Sequence, residues 1–212
     1  MSDTIRNGID ISAANAPLNW TAFKQAPIDF AIMRAGYNAQ YLDGLYLRER
    51  YGVRDRVPLY GIYLVPKPSR SWEDEWAFTY YVVNAEPRPD FIALDLEIYH
   101  PLLIVRAEGL AVNIEHFARI PVVVYTNYGF SRNYDDKAWL GALQNYPLWV
   151  ANYTTADKPL LPRGWVDYLL WQYSAGRNYK GAAYGVSSRD VDLDRVNPSV
   201  TDIATVLKER VL

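Results

Sequence analysis

The chain contains no cysteine, which excludes disulfides, thiolate metal sites and a cysteine nucleophile. It has only two histidines, His100 and His116, which lie in different settings without ligand spacing and without an evident serine partner. A histidine metal centre and a serine-hydrolase triad therefore have little to build on. No apolar run approaches the length needed to span a bilayer. The first residues, Met1-Ser2-Asp3-Thr4-Ile5-Arg6-Asn7, lack the basic-then-apolar order of a signal peptide. A net charge of −2 with no basic block leaves no phosphate-tracking surface, so a nucleic-acid partner is not expected. Asp190, Asp192 and Asp194 alternate as at the start of a calcium loop. Arg195 stands at its sixth position and Thr201 at its twelfth, so neither metal nor cofactor is expected.

What is present is apolar and aromatic. Half of the 212 residues are hydrophobic, enough for one domain with a sizeable core and too many for disorder. The 18 tyrosines and 7 tryptophans suit sugar rings as well as a barrel interior. Strand-like segments over 8–12, 28–36, 58–65, 90–97 and 121–126 alternate with helical patterns over 19–25, 45–53, 71–84, 102–117 and 135–144. Ser71 is placed as an N-cap, with Asp74 and Glu75 in the first turn behind it. Strands over 147–152, 168–174 and 190–193 follow without helices between them. The spacing predicts an α/β fold: a compact TIM-like barrel of five strand–helix units followed by three strands. A closing helix is predicted over 199–212, where Val200, Ile203, Val206, Leu207 and Val211 share a face. Residues 1–212 read as a single catalytic domain with no repeat, linker or separate wall-binding module.

The stretch Ile92-Ala93-Leu94-Asp95-Leu96-Glu97 is an apolar run ending in two carboxylates one residue apart. Positions two apart on a strand share a face, roughly 6–7 Å from one another. Two like charges held so close in a partly apolar cleft drive their pKa values apart, leaving an acid and a base, as glycosidic cleavage requires. The plain alternative is a loop cap and an arginine partner. In parallel barrels chemistry gathers at the C-terminal strand ends. Those ends carry, in order, Asp10, Arg34, Tyr63, Asp95 with Glu97, Tyr125, Trp149 with Asn152 and Tyr153, Gln172, and Asp192. So many polar and aromatic residues at one mouth are hard to explain by packing.

Gly8-Ile9-Asp10-Ile11-Ser12, Asp95-Leu96-Glu97, Tyr125-Thr126, Leu148-Trp149-Val150-Ala151-Asn152-Tyr153, Trp171-Gln172-Tyr173 and Val191-Asp192-Leu193-Asp194 together resemble glycoside hydrolase family 25, the Chalaropsis-type lysozymes. The resemblance runs in register over nearly the whole chain. It implies an N-acetylmuramidase that cleaves the β-1,4 bond between N-acetylmuramic acid and N-acetylglucosamine in peptidoglycan. By position, Glu97 would be the general acid, and Asp95 would orient the substrate acetamido group or stabilise positive charge at the anomeric carbon. Asp10 and Asp192 match two further acidic residues of that family's cleft. Arg34, Tyr63, Tyr125, Trp149 and Tyr153 would hold sugars or the muramyl lactyl group, with Gln172 beside them. The resemblance favours retention through substrate assistance, while the residues alone leave a water-attack route open. Many members carry histidine after the third-strand tyrosine, where this chain has Leu64, which would alter substrate preference if that position faces the cleft.

Two other readings share the barrel: a glycan-binding component of a phage tail or cell wall that does not cut, and a hydrolase of another N-acetylated polymer such as chitin. The complete carboxylate set favours the muramidase, since a pure binder has little reason to keep a general acid. The expected setting is extracellular or at the cell wall, with the protein a monomer, present in its mature form or released by a route such as host lysis after phage-encoded expression.

Overall fold

The computed structural model describes residues 5–132 and 141–211. Its strands are β1 (Asn7–Ile11), β2 (Phe30–Tyr37), β3 (Tyr41–Leu42), β4 (Leu59–Val65), β5 (Phe91–Asp95), β6 (Val122–Asn127), β7 (Leu148–Ala151), β8 (Leu170–Ser174) and β9 (Asp192–Val196). Between them run α1 (Trp20–Gln25), α2 (Gly44–Arg56), α3 (Trp72–Val83), α4 (Leu103–Asn113) and the short α5 (Tyr128–Ser131), with α6 (Ile203–Lys208) after the last strand. The strand order is β1-β9-β8-β7-β6-β5-β4-β2-β3, and a further β1–β2 pairing closes eight strands into a barrel, leaving β3 as a short ribbon on β2.

Local chemistry explains the helix starts. Asn19, Asp43, Ser71 and Asp202 each accept a first-turn backbone N–H and so cap α1, α2, α3 and α6. The expected Ser71 cap is therefore present, with Glu73, Asp74 and Glu75 at the favourable end of the dipole. Helix α4 is shorter than its apolar pattern and passes into one π turn, Ile114–Ala118, ended by Arg119 in the left-handed region. The helix expected over 135–144 falls on 135–140 outside the described residues, and Ala142–Asn145 is a 3-10 turn. The closing helix is also shorter than expected, starting only at the Asp202 cap.

Alternation sorts each strand into two faces. Ile9, Met33, Ile62, Leu94 and Val124 point outward into the apolar layer beneath the helices. Phe30, Leu59, Phe91, Val123 and Leu170 fill the barrel, and Ile203 and Leu207 of α6 close its floor. The floor needs glycine at two inward positions: a Cβ on Gly8 would run into the Phe30 ring and one on Gly61 into the Phe91 ring. Above these rings the inward positions become polar, and there the site lies.

One strand departs from the expected direction. β9 is antiparallel to both neighbours, β1 and β8, whereas every other barrel pairing is parallel. Asp192 therefore reaches the mouth as the first residue of a descending strand, not as the end of an ascending one. Strand alternation reports which face a residue takes and carries no sign for direction.

Candidate active site

At the C-terminal ends of the parallel strands, Asp10, Tyr63, Asp95, Glu97, Tyr125, Trp149, Gln172 and Asp192 line one cavity of about 120 Å³. Eight of the ten expected site residues thus converge. Tyr153 stands just outside, largely exposed, and joins the site through its hydroxyl, which donates to Gln172 Oε1 at 2.6 Å. Arg34 lies next to this cavity in the barrel wall, in register with Tyr63, and pairs with Asp43 instead of Asp10 or Asp95.

Gln172 organises the centre. Its Nε2 donates to Asp10 Oδ2 at 2.6 Å, and its Oε1 accepts from the hydroxyls of Tyr125 at 2.9 Å and Tyr153. With the amide committed on both sides, Asp10 is fixed in position. A second buried carboxyl stands below it. Asp194, 0% exposed, accepts the Trp149 indole N–H at 2.8 Å through Oδ1, while its buried Oδ2 has no hydrogen-bond partner among the described residues. Trp149 is itself 1% exposed, and its ring lies 4.4 Å from that of Tyr125 and meets Tyr63 edge-on. It serves as wall and core together.

The expected pair sits where two dielectric environments meet. Asp95 ends β5, pointing into the barrel, and its buried Oδ1 has no hydrogen-bond partner among the described residues. Glu97 lies two residues beyond the strand at the solvent rim, where Asn127 Nδ2 donates to its Oε1 at 3.0 Å. Burial pushes the Asp95 carboxyl well above its usual range, reinforced by the Glu97 and Asp10 charges and opposed by Arg34. Burial also raises Glu97, against the Asn127 hydrogen bond. Asp10 is pushed up to about 8, first by burial and then by Asp192. Asp192 rises to about 6, by burial and then by Glu97. Asp194 is held well above the carboxylate range by burial and then by Asp10. Five acidic groups in one mouth thus cannot all be charged, and the deeper ones keep their protons.

Three residues of this site carry no expected role from the sequence. Asp194 stands two positions after Asp192 on the same strand face, a period-2 signal that could have found it. Asn127 stands likewise two after Tyr125. Asp43, by contrast, reaches Arg34 only through the β2–β3–α2 turn, which no local spacing announces. Leu64 is a correction in the other direction. Tyr63 faces the cleft, so its neighbour faces outward, and Leu64 is buried in the layer under the helices. Leu64, expected to alter substrate preference if it faced the cleft, does not line it.

Comparison with known proteins identifies the fold and the family. The family model for glycosyl hydrolases family 25 matches residues 9–182. Lysozyme M1 of Streptomyces globisporus is 27% identical over 209 residues, covering 91% of this chain and 68% of that protein. The bacterial lysozyme of Streptomyces coelicolor shares the fold at a TM-score of 0.78 and 22% identity, covering 99% of this chain and 100% of that one. The family GH25 lysozyme of Aspergillus fumigatus does so at 0.74 and 19%, with 96% and 99% covered. With 174 consecutive residues under the family model and the carboxylates gathered at one barrel mouth, this chain is a member of glycosyl hydrolase family 25.

Proposed function

We propose that this enzyme hydrolyses peptidoglycan as an N-acetylmuramidase, with Glu97 as the general acid and Asp95 as the group that receives the substrate acetamido N–H. The observation that carries the assignment is the contrast between the two carboxyls in one cavity. Glu97 is at the rim, raised by burial and touched by one amide donor, which suits a group that must give a proton to the leaving oxygen and take one back from water. Asp95 is deeper, lines the same cavity, and has a buried oxygen with no hydrogen-bond partner among the described residues. An acetamido N–H and positive charge growing at the anomeric carbon both favour ionised Asp95, offsetting the desolvation that holds its proton in the free protein.

In the sequence of bonds, Glu97 protonates the glycosidic oxygen while the acetamido carbonyl oxygen attacks the anomeric carbon from the opposite face. The leaving sugar departs with the proton, and the Glu97 carboxylate then deprotonates the water that reopens the cyclic intermediate. Configuration is retained. Asp10, Gln172 and Tyr125 hold the floor of the cleft rigid, Tyr153 braces Gln172 from outside the cavity, and Asp192 supplies a charge at the rim. On this reading the reaction takes place at the bacterial wall, outside the cell, with these residues forming one catalytic domain and the protein acting as a monomer. Among the described residues no helix is long and apolar enough to cross a membrane.

The test is release of reducing sugars from purified peptidoglycan by wild type and Glu97→Gln, with fragments identified by mass. Wild type should yield reducing-end muramic acid, and the variant should lose at least about a hundredfold in rate at an unchanged melting temperature. No release by either protein, with wall pull-down intact, would replace the enzyme by a glycan-binding barrel.

A further inference from the structure

Beside the cleft, where Arg34 stands in register with Tyr63 of the neighbouring strand, lies a larger cavity of about 380 Å³ lined by Arg34, Tyr37, Tyr41, Leu42 and Asp43. Its construction is not that of a surface ion pair. The Asp43 side chain is 2% exposed, and its carboxylate is fully engaged: Oδ1 accepts the Leu45 N–H at 2.8 Å, and Oδ2 accepts the Ala13 N–H at 3.1 Å together with Arg34 Nε–H at 2.8 Å. The carboxylate caps α2, pins the turn after β1 and orients the guanidinium all at once. Because Arg34 is held by its Nε edge, its two terminal nitrogens are left over. They have no hydrogen-bond partner among the described residues, and the side chain is 32% exposed. Tyr37 and Tyr41 stand opposite, Tyr41 on the exposed β3 ribbon that pairs with β2.

We propose that this pocket is a carboxylate-binding subsite, with Arg34 as the contacting residue, Asp43 as its positioning residue and the tyrosines as apolar walls. The inference rests on the muramidase reading and deepens it. The glycan itself is uncharged. Its anions are carboxylates, either on the peptide attached to the lactyl group or on the lactyl group where that peptide has been removed. A planar two-nitrogen fork matches a carboxylate bidentately, and a lysine could not reproduce it. The charge balance also selects the monoanion. Asp43 already neutralises Arg34, and the acid-rich cleft lies next door, so a phosphate dianion would meet net repulsion. The pocket thereby reads what hangs from the sugar, while the neighbouring cleft cuts the chain.

The experiment compares kcat/KM of wild type, Arg34→Gln, Arg34→Lys and Asp43→Asn on four glycans. These are intact peptidoglycan, the same material with its peptide carboxyls amidated, amidase-stripped glycan with free lactyl carboxylates, and stripped glycan with those carboxylates amidated. Arg34→Gln should lose about tenfold or more on at least one carboxylate-bearing glycan, mainly through KM. That deficit should shrink at least about fivefold on the amidated counterpart. The first pair of glycans reports the peptide as the source of the anion, and the second pair the lactyl group. Arg34→Lys should recover only part of the loss. Asp43→Asn should reproduce the KM effect while remaining folded by circular dichroism, since asparagine can still cap α2. An equal deficit on amidated and carboxylate-bearing glycans would overturn the subsite, leaving Arg34 as a counter-charge to Asp95, and so would no deficit on any glycan. Failure of the muramidase reading itself is distinct, because wild type would then release no reducing sugar from any of the four. In that event, binding of muramyl dipeptide and its amide to Glu97→Gln still decides: weaker binding of the amide supports the subsite, and equal binding rejects it.

Discussion

The buried carboxyls make stability fall as pH rises across the neutral range, opposite to proteins whose carboxylates are ion-paired. Asp10 titrates near 8 in the folded chain against an ordinary value of 3.8. Between those values the folded protein keeps a proton that the unfolded chain releases. Its contribution is therefore fully present below about pH 4 and is lost as pH climbs through 8. Each pH unit in that window is worth about 1.4 kcal/mol for one proton, so three units from pH 5 to pH 8 remove roughly 4 kcal/mol from this group. For a chain of this size that is roughly 8–16 °C in melting temperature. Urea unfolding followed by tryptophan fluorescence at pH 5, 6, 7 and 8 measures it, with Asp10→Asn alongside. Wild type should weaken steeply with pH, and the variant should show a shallower slope by close to one proton. Asp194, buried and raised in the same sense, should account for part of what slope remains. Parallel curves for the two proteins, or a wild type more stable at pH 8 than at pH 5, would refute a proton held on Asp10.

Further outcomes follow from single contacts. Asn127→Ala removes the donor that favours ionised Glu97, so the alkaline limb of the kcat/KM profile should move to higher pH; movement to lower pH would take Glu97 out of the acid role. Trp149→Phe leaves the buried Asp194 oxygen without its indole donor and should cost about 1–3 kcal/mol more in urea unfolding than the same substitution in an Asp194→Ala background; an equal cost in both backgrounds would assign the loss to packing alone. Gly61→Ala pushes a methyl group into the Phe91 ring and should cost about 1–3 kcal/mol, recovered in part by Phe91→Leu; a neutral Gly61→Ala would show the barrel floor to be looser than described.

Much of this site was legible because strands obey a period of two. Once Asp95 is assigned inward, Ala93 and Phe91 beneath it and Glu97 above it follow, and the same rule places Tyr125 over Val123. The rule even contains the answer on Leu64, which must face away if Tyr63 faces in. Three things were not legible. The reversal of β9 leaves the inward and outward assignments of Asp192 and Leu193 untouched, so the pattern is blind to it. The Arg34–Asp43 contact depends on a tight ribbon that brings residues nine apart together, a tertiary outcome. The length of α6 was overestimated because Val200 is apolar and packs on the floor while preceding the Asp202 cap, so apolar spacing alone put the start of the helix too early.

The descending β9 also changes what the chain does with the residues before it. A ninth strand running upward would need a crossover outside the barrel, spent on a supporting helix. Because β9 starts at the mouth, residues 175–191 stay on that side of the barrel instead. They are stitched to the segment after β1: Asn19 N–H donates to the Gly185 carbonyl at 2.7 Å, Ser187 N–H to that of Asn15 at 3.0 Å, and Leu18 bridges to Val186. Scaffold has been exchanged for rampart. Insertions or substitutions along that rampart can widen, narrow or recharge the entrance while the eight-strand cylinder keeps its register, so the breadth of substrates accepted can drift independently of the stability of the fold.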